Sequence, residues 1–253
     1  MPNRIAAVNR DHVETFIAYQ LAQRRPATAN NRFRSLQQFF KWAQEEREIR
    51  SSSIANMKPP QVPEEPAPII SGAYLRRLLR GCEGRNFMHV RDTAVIRLLL
   101  DTGARRSELA GLSVDSIDFD MSVAHVMGKG SRPRACPFGR KTAVSLDRYL
   151  RARKGHRAAY RPELWLGHGG PMTDDGIAQM VRRRADQVGL KGLHIHLFRH
   201  TYAHKWLPAG GQESDLMRLG GWKSRQMISR YGASAADERA REAYQSLSPG
   251  NRL

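Results

Sequence analysis

The sequence contains little cysteine and no long apolar run. Cys82 and Cys136 are the only cysteines among 253 residues, and no metal-ligand spacing connects them. Disulfide frameworks are typical of secreted proteins, so two isolated cysteines indicate reduced thiols in a cytosolic protein. No stretch approaches the roughly 20 apolar residues that span a bilayer, and the N-terminus lacks the apolar segment of a secretory signal. These absences argue against secreted and membrane-spanning classes.

Acidic residues are also scarce. The chain carries 42 Lys+Arg and 24 Asp+Glu, which gives a net charge of +18 and a pI near 10.8. Such an excess indicates a polyanionic partner, most often nucleic acid. Arginine dominates the basic residues, and its guanidinium binds phosphate in a bidentate manner. No single helix combines a basic face with a bulky apolar face, so the charge favours nucleic acid over a membrane surface.

Apolar residues near the N-terminus recur at helical spacing. They predict one helix from Asp11, as its N-cap, to about Arg25, where Pro26 ends it. They predict a second helix that Thr28 caps. Basic residues on the outer face of this second helix are candidate DNA contacts or simply part of a solvated surface; they are Arg32, Arg34 and Lys41.

Residues 51–68 separate this helical part from the rest of the chain. They contain five prolines and three serines. Proline cannot continue a helix and this composition resists packing, so the stretch is predicted to be an interdomain linker. We therefore expect a small helical domain over 1–65 and a larger domain over 66–253.

The larger domain is predicted to be mainly helical, with a small antiparallel sheet. Ser71 is expected to cap its first helix, and Gly103 to end a later one as a left-handed C-cap. Further helices are expected over residues 89–100, 105–111, 140–153 and 173–188. The turn signal at 128–131 predicts a hairpin with Lys129 at its tip, and Pro133 makes the returning strand an edge strand.

Several residues could carry chemistry, each with a plainer alternative. Arg105 begins a helix behind a glycine turn and could bind phosphate with Glu108 holding it, or the two could form an ordinary surface ion pair. His196, His200 and His204 share one helix face, as zinc ligands do, but no acidic residue completes the set and Arg199 would repel a dication. Metal binding is therefore not expected, and His200 and His204 are expected to be packing or capping residues.

Taken together, these pieces resemble the tyrosine recombinase (phage integrase) family. The family's threonine-glycine-x-arginine-x-serine-glutamate-leucine block matches TGARRSEL over 102–109, and its glycine-lysine-glycine hairpin matches 128–130. Its His-x-x-Arg-His block matches HLFRH over 196–200. Its last block places His or Trp nine residues before a nucleophilic tyrosine, as Trp222 precedes Tyr231. The motifs occur in the family's order.

The resemblance implies a role for each matched residue. Tyr231 would attack a DNA phosphate and form a 3′-phosphotyrosine, with a free 5′-hydroxyl as the other product. Arg105 and Arg199 would hold the non-bridging oxygens and stabilise the transition state. No metal or other cofactor is implied, because these arginines and a lysine supply the positive charge.

The remaining roles concern protons and positioning. Lys129 would protonate the leaving 5′-oxygen, and His196 would accept or orient the proton of the attacking hydroxyl. Trp222, where many relatives have histidine, would donate its indole N–H to the phosphate. Glu108 would support Arg105. Arg106, where an apolar residue is more usual, leaves open which arginine of the pair faces the phosphate; it and Arg132 are further candidate DNA contacts.

The resemblance also implies an organisation and partners. Residues 1–65 would be the core-binding domain, and their length leaves no room for an arm-binding domain, as in a compact recombinase. A tail helix that Ser234 caps would either pack on its own domain or, as the resemblance favours, dock into a neighbouring subunit. That subunit would belong to a homotetramer that synapses two double-stranded recombination sites. An accessory DNA-bending protein is a further expected partner, and the expected location is the cytoplasm of a prokaryotic host, with the nucleoid.

The function implied is site-specific recombination, for example the integration of a mobile element. Two alternatives share the scaffold. A type IB topoisomerase-like enzyme would relax DNA as a monomer with little sequence preference. A non-catalytic DNA-binding regulator is disfavoured because every expected catalytic position is filled.

Overall fold

The computed structural model describes residues 4–63, 68–128 and 132–225, together with residues 228, 244, 245, 247, 248 and 250. The chain divides into two compact units, Met1–Glu65 and Pro66–Leu253. In the described part, helices predominate and the strands form one small antiparallel sheet, which confirms the predicted fold class. None of the described helices has both the length and the apolar run that crossing a bilayer requires.

The first unit is built on two helices, α1 (Arg10–Gln23) and α2 (Pro26–Glu45), which pack against each other. The predicted starts of the two helices were wrong by two and three residues. Asn9 caps α1, because its side chain accepts the His12 N–H at 3.1 Å. Pro26 was expected to separate the helices, but it is the first residue of α2. Its fixed φ suits this position, where the backbone needs no N–H donor.

The proline-rich segment is partly packed. Ile54 is only 1% exposed and joins the core of the first unit, and Met57 packs against the same core. Two side chains of α2 hold the segment: Asn30 donates to the Pro60 carbonyl at 2.7 Å, and Gln37 to the Met57 carbonyl at 3.4 Å. The expectation that the whole stretch resists packing was therefore wrong for 51–60, where one buried isoleucine outweighs the composition around it.

The described helices of the second unit enclose a large apolar core and a smaller apolar cluster that includes Tyr202, Leu216 and Trp222. The helices are α3 (Gly72–Arg80), α4 (Phe87–Thr102), α5 (Arg106–Ala110), α6 (Arg140–Arg153), α7 (Asp174–Gln187), α8 (His196–Trp206) and α9 (Glu213–Gly220). Helix α4 is central, because it packs against α6, α7 and α8. Ser71 caps α3 and Thr173 caps α7 through their hydroxyls. These helices confirm the predicted ones to within a few residues.

The sheet consists of β1 (Ile117–Asp118), β2 (Val123–Gly128) and β3 (Arg132–Pro137), in the order β1-β2-β3. Strands β2 and β3 form the predicted hairpin, with Ala124 opposite Cys136 and Met127 opposite Pro133. Strand β3 lies at the edge, where a proline costs no ladder hydrogen bond. The hairpin tip lies outside the described residues. Both cysteines are buried and free.

Candidate active site

The threonine-glycine turn at the end of α4 brings Arg105 to the start of α5. Thr102 folds its hydroxyl onto the Leu98 carbonyl at 2.6 Å, and the same oxygen accepts the Ala104 N–H at 3.2 Å. Gly103 adopts φ +55°, and a Cβ there would come within 2.6 Å of the Tyr202 ring. Only glycine satisfies both requirements, so the chain reverses here and Arg105 becomes the N-cap of α5.

Glu108 is the buried centre of an ion-pair cluster. Its Oε1 lies 2.7 Å from Arg105 Nη1, and its Oε2 accepts the Arg105 backbone N–H at 2.7 Å. Arg134, on β3, binds the same carboxylate with both nitrogens of its fork, at 2.6 and 2.8 Å. Burial raises the pKa of Glu108, but the hydrogen bonds from Arg134 and Arg105 outweigh it and lower the pKa to about 2. The carboxylate is therefore ionised throughout the working pH range.

Helix α8 carries Arg199 and His196 one turn apart, at the start of the helix. Arg199 is 3% exposed, and its guanidinium donates to the Gly103 carbonyl at 2.8 Å. The neighbouring Phe198 is fully buried in the core and fixes the rotation of the helix. Burial, followed by the charge of Arg199, lowers the pKa of His196 below its usual value. A neutral imidazole beside a guanidinium can accept a proton near pH 7.

The C-terminal end of α9 aligns the three arginines. Successive carbonyls each accept one guanidinium: Leu219 O from Arg134 Nε at 2.9 Å, Gly220 O from Arg199 Nη2 at 2.6 Å, and Gly221 O from Arg105 Nη2 at 3.1 Å. These carbonyls have no partners within the helix and lie at its negative end, so they suit cations. Arginines from three separate elements are thereby held side by side.

Trp222 follows this helix end and covers Arg199. The Arg199 guanidinium carbon lies 3.8 Å from the centre of the Trp222 ring, a cation–π contact, and Tyr202 stacks nearly parallel to the indole. The two preceding glycines make this possible. Gly221 has φ +65°, and a Cβ on Gly220 would lie 1.7 Å from the indole. The Gly-Gly-Trp sequence is thus a tight turn that folds the ring back over the arginine.

The histidines do not form a metal centre among the described residues. The rings of His196 and His200 lie 4.6 Å apart, but no three His, Cys, Asp or Glu side chains of the described chain are grouped as metal ligands. Burial and then His196 lower the pKa of His200 to about 4.

Five of the predicted site residues are brought together: Arg105, Glu108, His196, Arg199 and Trp222. Arg106 points elsewhere, because it pairs with Asp174 at 2.9 Å and Asp175 at 2.7 Å at the start of α7. The structure therefore answers which arginine of the pair enters the cluster. Lys129, Tyr231 and the tail helix from Ser234 lie outside the described residues, as does the side chain of Arg132.

The three basic candidates of α2 belong to the first unit. Arg34 donates to Asn30 at 3.0 Å, and Lys41 lies 3.7 Å from Glu45 with 70% of its side chain exposed. Arg32 donates to Gln20 of α1. All three remain candidate DNA contacts.

Arg134 was missed by the sequence reasoning. The hairpin sequence could have indicated that Arg134 faces inward, since Arg134 and Cys136 are two residues apart and so lie on the same face of β3. Cys136 is 1% exposed, and a strand face that buries it also turns Arg134 inward. An inward arginine needs a carboxylate, and Glu108 had been assigned only to Arg105.

Comparison with known proteins finds related sequences. A family profile described as the phage integrase family matches residues 70–238. The tyrosine recombinase XerC of Corynebacterium glutamicum is 27% identical over 225 residues, covering 88% of this chain and 72% of that protein.

Solved structures share the fold. The Tn1549 transposon integrase in complex with transposon right end DNA has a TM-score of 0.77 at 23% identity, covering 98% of this chain and 87% of that one. The XerH site-specific recombinase bound to a palindromic difH substrate also has a TM-score of 0.77, at 17% identity, covering 99% and 75%. Because the profile spans most of the chain and includes every site element described above, the chain belongs to the phage integrase family of tyrosine recombinases.

Proposed function

We propose that this tyrosine recombinase cuts and rejoins double-stranded DNA at specific sites through a 3′-phosphotyrosine, with Tyr231 as the nucleophile. One observation carries the proposal: Arg105 and Arg199 are anchored on the successive carbonyls of Gly221 and Gly220. Two guanidiniums so aligned can each hold one non-bridging oxygen of a phosphodiester. Arg105 keeps 36% of its side chain exposed although Glu108 binds it, so it remains open to a substrate.

The chemistry follows from these positions. The Tyr231 oxygen forms a bond to phosphorus while the bond to the 5′-oxygen breaks, and Lys129 gives that oxygen a proton. His196 accepts the tyrosine proton, which its lowered pKa permits because the ring is neutral near pH 7. The two arginines stabilise the charge that grows on the non-bridging oxygens, and the low pKa of Glu108 keeps Arg105 paired and oriented. Reversal on a new 5′-hydroxyl rejoins the strands without ATP.

Tyr202 is the competing nucleophile within the described site, and its surroundings disfavour it. Burial, with Cys136 nearby, raises the pKa of its phenol to about 12. An attacking phenol must lose its proton, so this environment opposes attack. The role of Tyr202 is instead to support Trp222 and to pack against Gly103.

The assembly belongs to the same proposal. Residues 1–65 form the core-binding domain, with Arg34 and Lys41 of α2 among its phosphate contacts. Four copies synapse two sites, the tail helix docks between copies, and an accessory protein bends the DNA. The net charge of +18 supports a polyanionic partner of this size. We place the enzyme with the nucleoid in the cytoplasm of a prokaryotic host.

A suicide substrate tests the nucleophile. A duplex selected by binding from a randomised pool is nicked next to the scissile phosphate, so that a cleaved strand cannot be rejoined. We expect wild type to form a covalent adduct on a denaturing gel, and Tyr231→Phe to form none. Tyr160→Phe, at a tyrosine that is 83% exposed, is the matched control and should behave as wild type. An adduct that persists in Tyr231→Phe, or that forms at Tyr202 instead, would contradict the assignment.

A plasmid assay separates site-specific recombination from topoisomerase activity. We expect no relaxation of a supercoiled plasmid that lacks the selected site, and recombination between two copies of it. Relaxation of the site-free plasmid at concentrations where the protein is monomeric would instead favour a type IB topoisomerase-like enzyme.

A further inference from the structure

Arg134 makes more contacts with the site than any role assigned so far explains. It donates two hydrogen bonds to Glu108, at 2.6 and 2.8 Å, and a third to the Leu219 carbonyl at 2.9 Å. Its side chain is only 12% exposed. Burial lowers the pKa of Arg134, but Glu108 more than compensates and raises it, so the guanidinium stays charged. An arginine that is mostly covered and held at three atoms is positioned for a structural purpose within the site.

The contacts join three elements of the site. Arg134 lies on β3, the strand that follows the hairpin tip with Lys129. Its two terminal nitrogens donate to Glu108 of α5, and its Nε donates to the Leu219 carbonyl at the C-terminal end of α9. The next carbonyl along the chain accepts a hydrogen bond from Arg199. The guanidinium of Arg134 therefore connects the hairpin, the Arg105–Glu108 pair and the turn that carries Trp222.

We propose that Arg134 is a positioning residue of the strand-cleavage reaction, acting through Glu108 on the orientation of Arg105. It is not a catalytic residue, because all three of its guanidinium nitrogens donate to protein groups, two to the Glu108 carboxylate and one to the Leu219 carbonyl. The inference rests on the proposed function and deepens it, since it names the residue that orients Arg105, one of the two arginines proposed to hold the phosphate.

The carboxylate geometry explains how this positioning works. Glu108 accepts four hydrogen bonds, two from Arg134 and two from Arg105. Without Arg134 both carboxylate oxygens lose a partner, and the carboxylate is free to rotate toward Arg105 or away from it. Arg105 would then reach the phosphate from a range of orientations, and misplacement by about 1 Å costs up to about 100-fold in rate.

The experiment compares Arg134→Met with wild type on two substrates. One is the suicide duplex, and the other carries a methylphosphonate at the scissile position, where a methyl group replaces one charged oxygen. We expect Arg134→Met to slow adduct formation on the phosphate by about 10- to 100-fold. On the methylphosphonate the loss should shrink to about threefold, because the charge that Arg105 neutralises is gone.

Two further variants serve as controls. Arg161→Met removes an arginine that binds Glu163 with two nitrogens, at 2.7 and 3.2 Å, on an exposed surface, and it should match wild type on both substrates. Arg134→Lys keeps the positive charge but loses the paired donors of the guanidinium. It should therefore show an intermediate loss of cleavage rate, with the same dependence on substrate. If Arg134→Met does not fold, as judged by urea unfolding, the lysine variant carries the comparison.

The outcomes separate the two proposals. Equal losses on the two substrates, or no loss on the phosphate, would overturn the role of Arg134 and leave the recombinase function intact. If wild type forms no adduct on either substrate, the proposed function fails and the positioning role with it. A loss that is clearly larger on the phosphate than on the methylphosphonate supports both.

Discussion

Two clusters in the second unit share one design, a buried carboxylate between two arginines. In one, Asp92 accepts hydrogen bonds from Arg91 at 2.8 Å and Arg184 at 2.7 Å. In the other, Glu108 pairs with Arg105 and Arg134. Each cluster contains two guanidiniums and one carboxylate, so it carries a net charge of +1. Local chemistry alone does not tell them apart.

Exposure and surroundings distinguish the clusters. The side chains of Asp92, Arg91 and Arg184 are 0%, 1% and 8% exposed, so all three members of this cluster lie in the interior. Arg105 keeps 36% of its side chain exposed. The sealed cluster links α4 to α7 and to the Leu166 carbonyl, whereas the open one lies beside a helix end that orients a second clamp arginine. The same ion-pair pattern is structural where it is closed and suited to phosphate where it is open.

The largest expected effect concerns the open cluster and its neighbour. Arg105→Ala and Arg199→Ala should each reduce adduct formation by about 10³-fold or more, because each removes a guanidinium from the transition state. Single-turnover kinetics on the suicide duplex measure this. We expect Arg91→Ala, in molecules that remain folded, to cleave DNA at close to the wild-type rate. A comparable loss in Arg91→Ala would show that exposure does not separate the clusters.

The sealed cluster should dominate stability. Asp92→Asn leaves two buried guanidiniums without a counter-charge, and such changes cost about 3–5 kcal/mol. Urea unfolding at pH 7 measures the difference. Asp147→Asn, which breaks the exposed pair with Arg151, should change the free energy of unfolding by at most about 0.5 kcal/mol. A loss below about 1 kcal/mol for Asp92→Asn would mean that the cluster is not sealed as described.

The pH dependence of stability should report on Glu108. Its pKa in the folded protein is about 2, below its ordinary value, so its pairing stabilises the protein above pH 4.5 and that contribution is lost as the pH falls toward 2. The full loss is about 3 kcal/mol. Wild type should therefore lose more stability between pH 5 and pH 3 than Glu108→Gln does. Parallel curves from urea unfolding would show that Glu108 is not strongly paired in solution.

The smallest expected effect is that of a chelator. In the proposed function two arginines and Lys129 supply the positive charge at the phosphate, and the described histidines are not grouped as metal ligands. EDTA should leave adduct formation unchanged. Loss of activity in EDTA, with recovery on adding a divalent ion, would revive the metal interpretation of His196, His200 and His204.

Local sequence signals predicted the elements well. Ser71, Gly103 and Thr173 end or begin helices where their side chains or backbone freedom require it, and the hairpin lies where its glycines place it. The failures have local causes too. Pro26 begins a helix where it was expected only to separate two, and Ile54 is buried although its neighbours are prolines and serines.

The candidate site was predictable only as a list of residues. Motif spacing selected Arg105, Glu108, His196, Arg199 and Trp222, which the fold brings together, but it did not select Arg134. The partners of Arg134 are Glu108 and Leu219, which are 26 and 85 positions away in the chain. Such pairs depend on how the strand packs against α5 and α9, and no local pattern contains that information.

By itself, the sequence determined the residue types, the order of the motifs and the basic charge, because these are properties of the chain. It also determined the helix ends and the glycine turns, since they depend on backbone freedom and short-range hydrogen bonds. Only the tertiary structure decided which arginines share a carboxylate and which of two such clusters keeps an arginine exposed. Exposure and distant pairing arise from packing, as in the contact between Arg105 and Gly221, 116 positions apart.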